Sequence, residues 1–549
     1  MIRIFIALTL IGGFDLLAQP NFIFVLTDDQ PYGYMGCTGN QVVKTPNLDQ
    51  LASEGVLFTN AHVTSAICTP SRASILLSQH ERKHGINFNS GTSLSEEGWE
   101  DTYPAHMRKA GYYSGWIGKN HVPVGQGGYK SGFMEQQFDF WYAGHGHLGF
   151  YPKKRHKIFE NASSDSQVEI IAEGVENFLS NEQKMEGVIS FFDARPDDQP
   201  FVLSVSFNLP HGAGVRSMEQ RAADSDIYKS LYRDQDIPRV NHYLAKQAIE
   251  TPKIPLSIHH VADRQAGYNY ADTPAEVRER TIRQYQAMTG IDQMIGGMRE
   301  MLKKQGLDKN TVIIFTSDHG LMMGQHGLGG KAVVYEQVTH VPMIVFDPKR
   351  KGKRGTKMDA LVQTIDVAPT MLAMAGIPIP DSFQGEDLRT LLDGEVDQIR
   401  DYLFTENLWS THFGNPRCEA VQNKDWKYIR YYANHNFSAL KKIETAAQFD
   451  INVNRMLYTV HDPDIALYRD YIESPLRGEP AVFEELYRIG EDPYEVSNLS
   501  DNADYSDQLS KMRAVWENEI KRARGTGQPK VLRYTVESEA ERGVTIQPE

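Results

Sequence analysis

The chain has 549 residues, 40% of them hydrophobic and 23% charged, which is a globular balance in a chain too long for one ordinary core, so two domains are expected. A net charge of −14 argues against a nucleic-acid partner, although a local basic cluster can still draw an anionic substrate into a cleft. Three cysteines are too few for a disulfide-built protein.

Residues 1–18 read as a signal peptide: Arg3, the apolar run Ile4 to Ile11, then Leu17-Ala18 as a cleavage edge. No cysteine follows that run, and no later stretch is long and apolar enough to span a membrane. The expectation is an exported protein, periplasmic or secreted, without a membrane anchor. The first buried-type strand is Asn21 to Thr27, which runs into Asp28-Asp29. Cys68 opens a helix in C-T-P-S-R, where Pro70 suits a first turn and Arg72 falls one turn on, on the same face. That helix start favours negative charge; the plain alternative is a buried cysteine beside a surface arginine. Tyr112 to Ile117 is a second strand, leading to Lys119-Asn120-His121, and Phe201 to Phe207 a third, leading to Pro210-His211. Ile282 to Leu302 keeps helical spacing and stops near Gly306. Thr311 to Thr316 is a fourth strand, leading to Asp318-His319, and Val341 to Phe346 a fifth; Val367 to Ala375 reads as a helix.

Strands alternating with helices predict an α/β fold with a mostly parallel central sheet flanked by helices, over residues 19–400. From 401 to 549 the texture changes to short separate strands (Tyr402 onward, Trp426 to Tyr431, Glu485 to Ile489) and a terminal helix from Asp507 to Arg522, predicting a smaller α+β domain. With Cys68 reserved for chemistry, Cys37 and Cys418 either pair or stay as two buried thiols, the reading their separation favours.

In open α/β sheets the ligand crevice lies at the carboxyl ends of the strands, so four polar clusters following four strands are able to converge. Asp28, Asp29 and Asp318 offer hard oxygen donors suited to Ca²⁺ or Mg²⁺, and His319 adds a nitrogen. Lys119 offers a fixed positive charge, His121 a proton carrier, His211 a loop-borne general acid and Lys331 a further anion contact. Each has a plain alternative: turn or cap aspartates, satisfied histidines, solvated lysines. A thiolate at position 68 suits a hard-cation site poorly, and an oxygen-bearing side chain suits it better, which raises the question of modification.

Over roughly residues 20 to 500 the chain resembles the type I, formylglycine-dependent sulfatases of the alkaline phosphatase superfamily. The resemblance rests on Cys68-Thr69-Pro70-Ser71-Arg72, Asp28-Asp29, Gly118-Lys119-Asn120-His121, Asp318-His319-Gly320, and Lys331 shortly before Tyr335-Glu336. It implies that a formylglycine-generating or sulfatase-maturing enzyme oxidises Cys68 to formylglycine. It further implies a Ca²⁺, less readily Mg²⁺, held by Asp28, Asp29, Asp318, His319 and the modified residue 68. Lys119, Lys331 and Arg72 would then compensate charge, His211 would protonate the departing alcohol and His121 would take a proton from the hydrated aldehyde. Two positions depart from the family pattern: Asn120 stands where tryptophan is usual, and His211 lies in P-H-G-A-G.

The expected substrate is a sulfated carbohydrate. The same signatures also fit a phosphodiesterase or phosphonate monoester hydrolase of the superfamily, or a non-catalytic glycan-binding relative. The basic run Tyr151 to Lys157 is either a polysaccharide grip or a solvated loop, and His145 and His147 are candidate pocket residues.

Overall fold

The computed structural model describes residues 19–533 apart from 89–91, 173–185, 214–220, 223, 256–257, 259–270, 351, 353, 409–414 and 434–471. The expected signal peptide therefore lies outside the described residues. Eight strands build the central sheet: β1 (Asn21–Asp28), β2 (Val56–His62), β3 (Tyr113–Asn120), β4 (Phe140–His145), β5 (Phe201–Pro210), β6 (Thr311–Ser317), β7 (His340–Phe346) and β8 (Thr356–Gln363). Their order is β8-β2-β7-β6-β1-β5-β3-β4. β1 sits near the middle, paired in parallel with β5 and β6, and all its residues are buried. Its side chains alternate between two cores. Ile23 and Val25 join one with helix α2 (Pro274–Lys304), and Phe22, Phe24 and Leu26 join the other with helices α1 (Cys68–Leu77) and α3 (Val367–Met374). Burial on both faces is why its sequence is a continuous apolar run.

The sheet is mostly parallel, as expected, with β7 running antiparallel to both β2 and β6. The chain leaving β6 stays at the carboxyl edge through residues 318–339, where it forms the site, so it re-enters the sheet from that same edge. α2 begins at a capping box in which Thr273 Oγ1 accepts from Glu276 N while Glu276 accepts from Thr273 N, with Pro274 in the first turn.

A second sheet follows: β9 (Leu403–Asn407), β10 (Arg417–Gln422), β11 (Lys427–Tyr432) and β12 (Phe483–Tyr487), antiparallel in that order and backed by helix α4 (Ser506–Arg524). Its other face packs on the catalytic part, where Cys418, Ala420 and Tyr431 share a cluster with Ala66, Val334 and Tyr335. Cys37, Cys68 and Cys418 are all free thiols. Among the described residues no helix is long and apolar enough to cross a membrane.

Candidate active site

Five parallel strands deliver polar residues to one edge of the sheet. β1 ends in Asp28 and passes into Asp29, whose φ of 62° is a left-handed turn that aspartate tolerates better than most residues. β2 ends just before the helix that Cys68 opens, β3 carries Lys119 and Asn120 at its end, β5 runs into His211, and β6 runs into Asp318 and His319. Lys331 arrives on the loop between β6 and β7.

The groups meet at Cys68, which is fully buried. Its Sγ lies 2.9 Å from Lys331 Nζ, 3.3 Å from His319 Nε2 and 3.8 Å from Asp28 Oδ1. Ligand atoms of Asp28, Cys68, Asp318 and His319 all lie within 4.8 Å of one another. Asp29 stands at the margin: its Oδ1 is 3.3 Å from His319 Nδ1 and accepts from Lys331 Nζ at 2.8 Å, while its buried Oδ2 has no hydrogen-bond partner. Arg72 donates through Nε to Asp318 Oδ2 at 2.7 Å, through Nη1 to Ser206 Oγ at 2.6 Å, and through Nη2 to the Phe207 carbonyl at 3.2 Å. Lys119 donates to Asp28.

The electrostatics follow from burying three carboxylates among cations. Burial pushes the Asp28 carboxyl up, but Lys119, His211 and Arg72 reverse this and hold it well below its usual range. Asp29 moves the other way, raised by burial, with the Asp28 and Asp318 charges adding to the effect against Lys331. Burial would lower His319, yet the Asp318 carboxylate overrides it and pushes the imidazole up to about 9. His319 Nδ1 donates to the Gly320 carbonyl at 2.9 Å, which aims Nε2 at the cluster, as a ligand histidine is normally oriented. Burial and Lys119 hold His121 well below the usual imidazole range, and burial and Lys331 do the same to His211.

These residues fit a hard divalent cation. The oxygen donors of Asp28, Asp29 and Asp318 suit Ca²⁺, the unpartnered Asp29 Oδ2 is an acceptor such an ion would satisfy, the His319 nitrogen is a less usual donor for it, and the thiol is out of character.

His211 Nε2 lies 3.8 Å from Asp29 Oδ2, and the His121 ring packs edge-on to Phe88 at 5.5 Å. All ten residues singled out from the sequence thus line one buried cluster or its wall. Sequence reasoning missed Asn208, whose Nδ2 donates to Asp28 Oδ2 at 2.6 Å, and Ser206, which holds Arg72. The signal available for Asn208 was its place at the end of β5, three residues ahead of His211. His147 does enter the pocket, with its ring 4.5 Å from His211 and 4.7 Å from His121, whereas His145 turns to Glu135 and Asn120. In the basic run Lys153 pairs with Asp165, Arg155 and His156 bind the His147 carbonyl, and Lys154 and Lys157 are exposed.

Comparison with known proteins gives this arrangement its class. The sulfatase family model matches residues 20–377, and a model described as the C-terminal part of N-sulphoglucosamine sulphohydrolase matches 324–453. The chain belongs to the sulfatase family and is a sulfuric ester hydrolase. It is similar to an arylsulfatase of Clostridium perfringens (28% identical over 443 residues, 75% of this chain and 85% of that one). It is also similar to an N-acetylglucosamine-6-O-sulfatase of Bacteroides thetaiotaomicron (26% over 541 residues, 91% and 86%). The phosphonate monoester hydrolase of Agrobacterium radiobacter shares the fold, with a TM-score of 0.64 at 18% identity over 92% of this chain and 96% of that one.

Proposed function

We propose that this sulfatase is exported and hydrolyses sulfate esters of a polysaccharide or its oligosaccharides, with Cys68 in its formylglycine form and a bound Ca²⁺. The observation that carries this reading is the buried meeting of Cys68 with Asp28, Asp318, His319 and Lys331. The relative active on N-acetylglucosamine 6-sulfate, alignable over nearly the whole chain, supports a carbohydrate ester.

Asp28, Asp29, Asp318 and His319 would hold the cation, which when bound polarises sulfate oxygens and stabilises an oxygen anion at position 68. Lys119, Lys331 and Arg72 hold positive charge around the anion, and because they are buried and fixed they need little reorganisation as charge shifts in the transition state. His211 delivers a proton to the departing alcohol oxygen. Burial and Lys331 disfavour its cation, and the negative charge of a bound sulfate would favour it. His121, kept neutral by burial and Lys119, is suited to accept a proton from residue 68. Maturation requires a formylglycine-generating partner.

Two measurements test this reading. The mass of the peptide carrying residue 68, taken from the native host, should show formylglycine. The matured protein should release sulfate from N-acetylglucosamine 6-sulfate or another carbohydrate sulfate faster than it cleaves 4-nitrophenyl phenylphosphonate. An unmodified thiol in active protein, or a preference for the phosphonate, would discard the reading.

A further inference from the structure

His147 enters the pocket from the loop that follows β4 and has no part in the steps above. Its ring stacks on that of His211, with centroids 4.5 Å and planes 28° apart, and meets the His121 ring edge-on at 4.7 Å. The backbone beneath it is well fastened. The His147 carbonyl accepts from Arg155 Nη1 at 3.4 Å and His156 Nε2 at 3.1 Å. The next two amides, Leu148 N and Gly149 N, donate to Asn208 Oδ1 at 2.7 and 3.1 Å, and Asn208 Nδ2 donates to Asp28 Oδ2. A continuous line of hydrogen bonds therefore runs from a cation-site carboxylate to the loop that carries His147.

His211 is held differently. It follows β5 in a turn between Pro210 and Gly212, where Gly212 takes a φ of 77°. Its nearest carboxylate oxygen, Asp29 Oδ2, is 3.8 Å away, beyond hydrogen-bond reach. Among the described residues, the stack on His147 is thus the ring contact that sets its plane. A general acid works only when its N–H points at the atom it protonates, and a misplacement of about 1 Å costs roughly 100-fold.

We infer that His147 is a positioning residue whose ring holds the His211 imidazole in the plane that reaches the leaving oxygen. The inference rests on the assignment of His211 as the acid. In that step an oxygen of residue 68 bonds to sulfur as the S–O bond to the alcohol breaks, that bond's electron pair moves onto the departing oxygen, and the proton of the breaking His211 N–H bond goes to the same oxygen; His147 neither gains nor loses a proton.

The leaving group provides the test. Phenolate departs poorly without a proton, whereas 4-nitrophenolate departs readily, so a misaligned acid harms the first ester selectively. On matured protein, His147→Ala should lower kcat for phenyl sulfate by roughly 30-fold and for 4-nitrophenyl sulfate by less than about 3-fold, with KM nearly unchanged. His147→Phe keeps a flat ring in the stack and should restore most of the loss. In a His211→Ala background, His147→Ala should cost nothing further. Equal losses on both esters, a Phe variant as slow as the Ala variant, or an additive double variant would overturn the role. If the wild type cleaves neither ester, aryl sulfates do not enter this pocket and the kinetic comparison gives way to a structural one. A readout free of turnover then decides on His147: crystals of the unmodified Cys68 form should show the His211 ring fixed in wild type and His147→Phe, and displaced in His147→Ala. An unmoved ring would overturn the inference.

Discussion

Arg72 and Arg82 are both buried and stand on neighbouring helices, yet they serve two different kinds of region. Arg82 lies where the second sheet meets the catalytic part. It donates to Glu406 Oε2 at 2.7 Å and to the Ile472 carbonyl at 2.9 Å, and it also donates to Glu419. The other oxygen of Glu419 accepts from Tyr432 Oη and Trp516 Nε1, each at 2.7 Å. That network closes on itself. Arg72 is as fully bonded, but around it Asp29 Oδ2, His121 Nδ1 and His147 Nδ1 are buried without hydrogen-bond partners. Leaving such groups unsatisfied costs stability that a bound ligand would restore. Burial and charge alone do not separate a structural network from a site, and neither do unpartnered atoms, since both ring nitrogens of His80 beside Arg82 are buried without partners too; the difference is the chemistry gathered at the sheet edge, carboxylates, a thiol and proton carriers converging on one point.

Removing the nucleophile's source disables the catalytic side alone. Cys68→Ala should lower sulfate release by roughly 10⁴-fold or more while leaving the unfolding midpoint close to wild type. Sulfate measured by ion chromatography and a melting curve check both halves; retained turnover would remove Cys68 as the nucleophile's source. The converse applies at the junction. Arg82→Ala strands Glu406 and Glu419 in the interior and should cost about 3–5 kcal/mol in denaturant unfolding, with kcat per folded molecule unchanged within about twofold. A variant that loses kcat at full stability would merge the two regions that the comparison holds apart.

How much of this was legible in the sequence follows from the same physics. β1, β5 and β6 are buried on both faces, so their apolar runs were readable. The sheet's two edge strands, β4 and β8, were not: Phe140–His145 is only half covered, and Thr356–Gln363 opens with exposed Lys357 and Asp359. Nor was the reversed direction of β7, because the course of the preceding loop sets it. At the site, the aspartates, Lys119 and the histidines stood out because each lies at or just past the end of a strand, whereas Lys331 lies far along the loop after β6. Asn208 had only its place near the end of β5 as a cue, while the roles of Ser206 and His147 depend on which elements meet across the sheet edge, which no local pattern encodes.

Metal loading sharpens the contrast at lower energy. An ion that binds only the folded state stabilises it by about 2.7 kcal/mol at 100 times its Kd, so Ca²⁺ should raise the melting temperature of chelator-treated protein. Asp318→Asn, which removes one anionic donor from the cluster, should abolish most of that rise and reduce activity with it. A Ca²⁺ shift retained by Asp318→Asn would place the ion elsewhere. Arg82→Ala should keep the shift, because the junction contributes no ligand.

A smaller effect concerns His84, which stands two residues after Arg82 on the chain but is held neutral. Its Nδ1 accepts from Ile86 N at 3.0 Å, its Nε2 lies 3.0 Å from Ser74 Oγ, and burial pushes it down to about 3 from the ordinary 6.5. Below about 6.5 the unfolded chain therefore binds a proton at this position, while the folded chain does not until about 3. The stability contribution is complete above the unfolded value and is lost progressively as the pH falls through that window, by up to about 1.4 kcal/mol per pH unit. His84→Asn has no such proton to bind, so its stability should fall less steeply between pH 6.5 and 5, whatever the substitution costs at pH 7. Parallel slopes for the two proteins would mean that His84 is already charged in the fold and that the tautomer read from Ile86 and Ser74 is wrong.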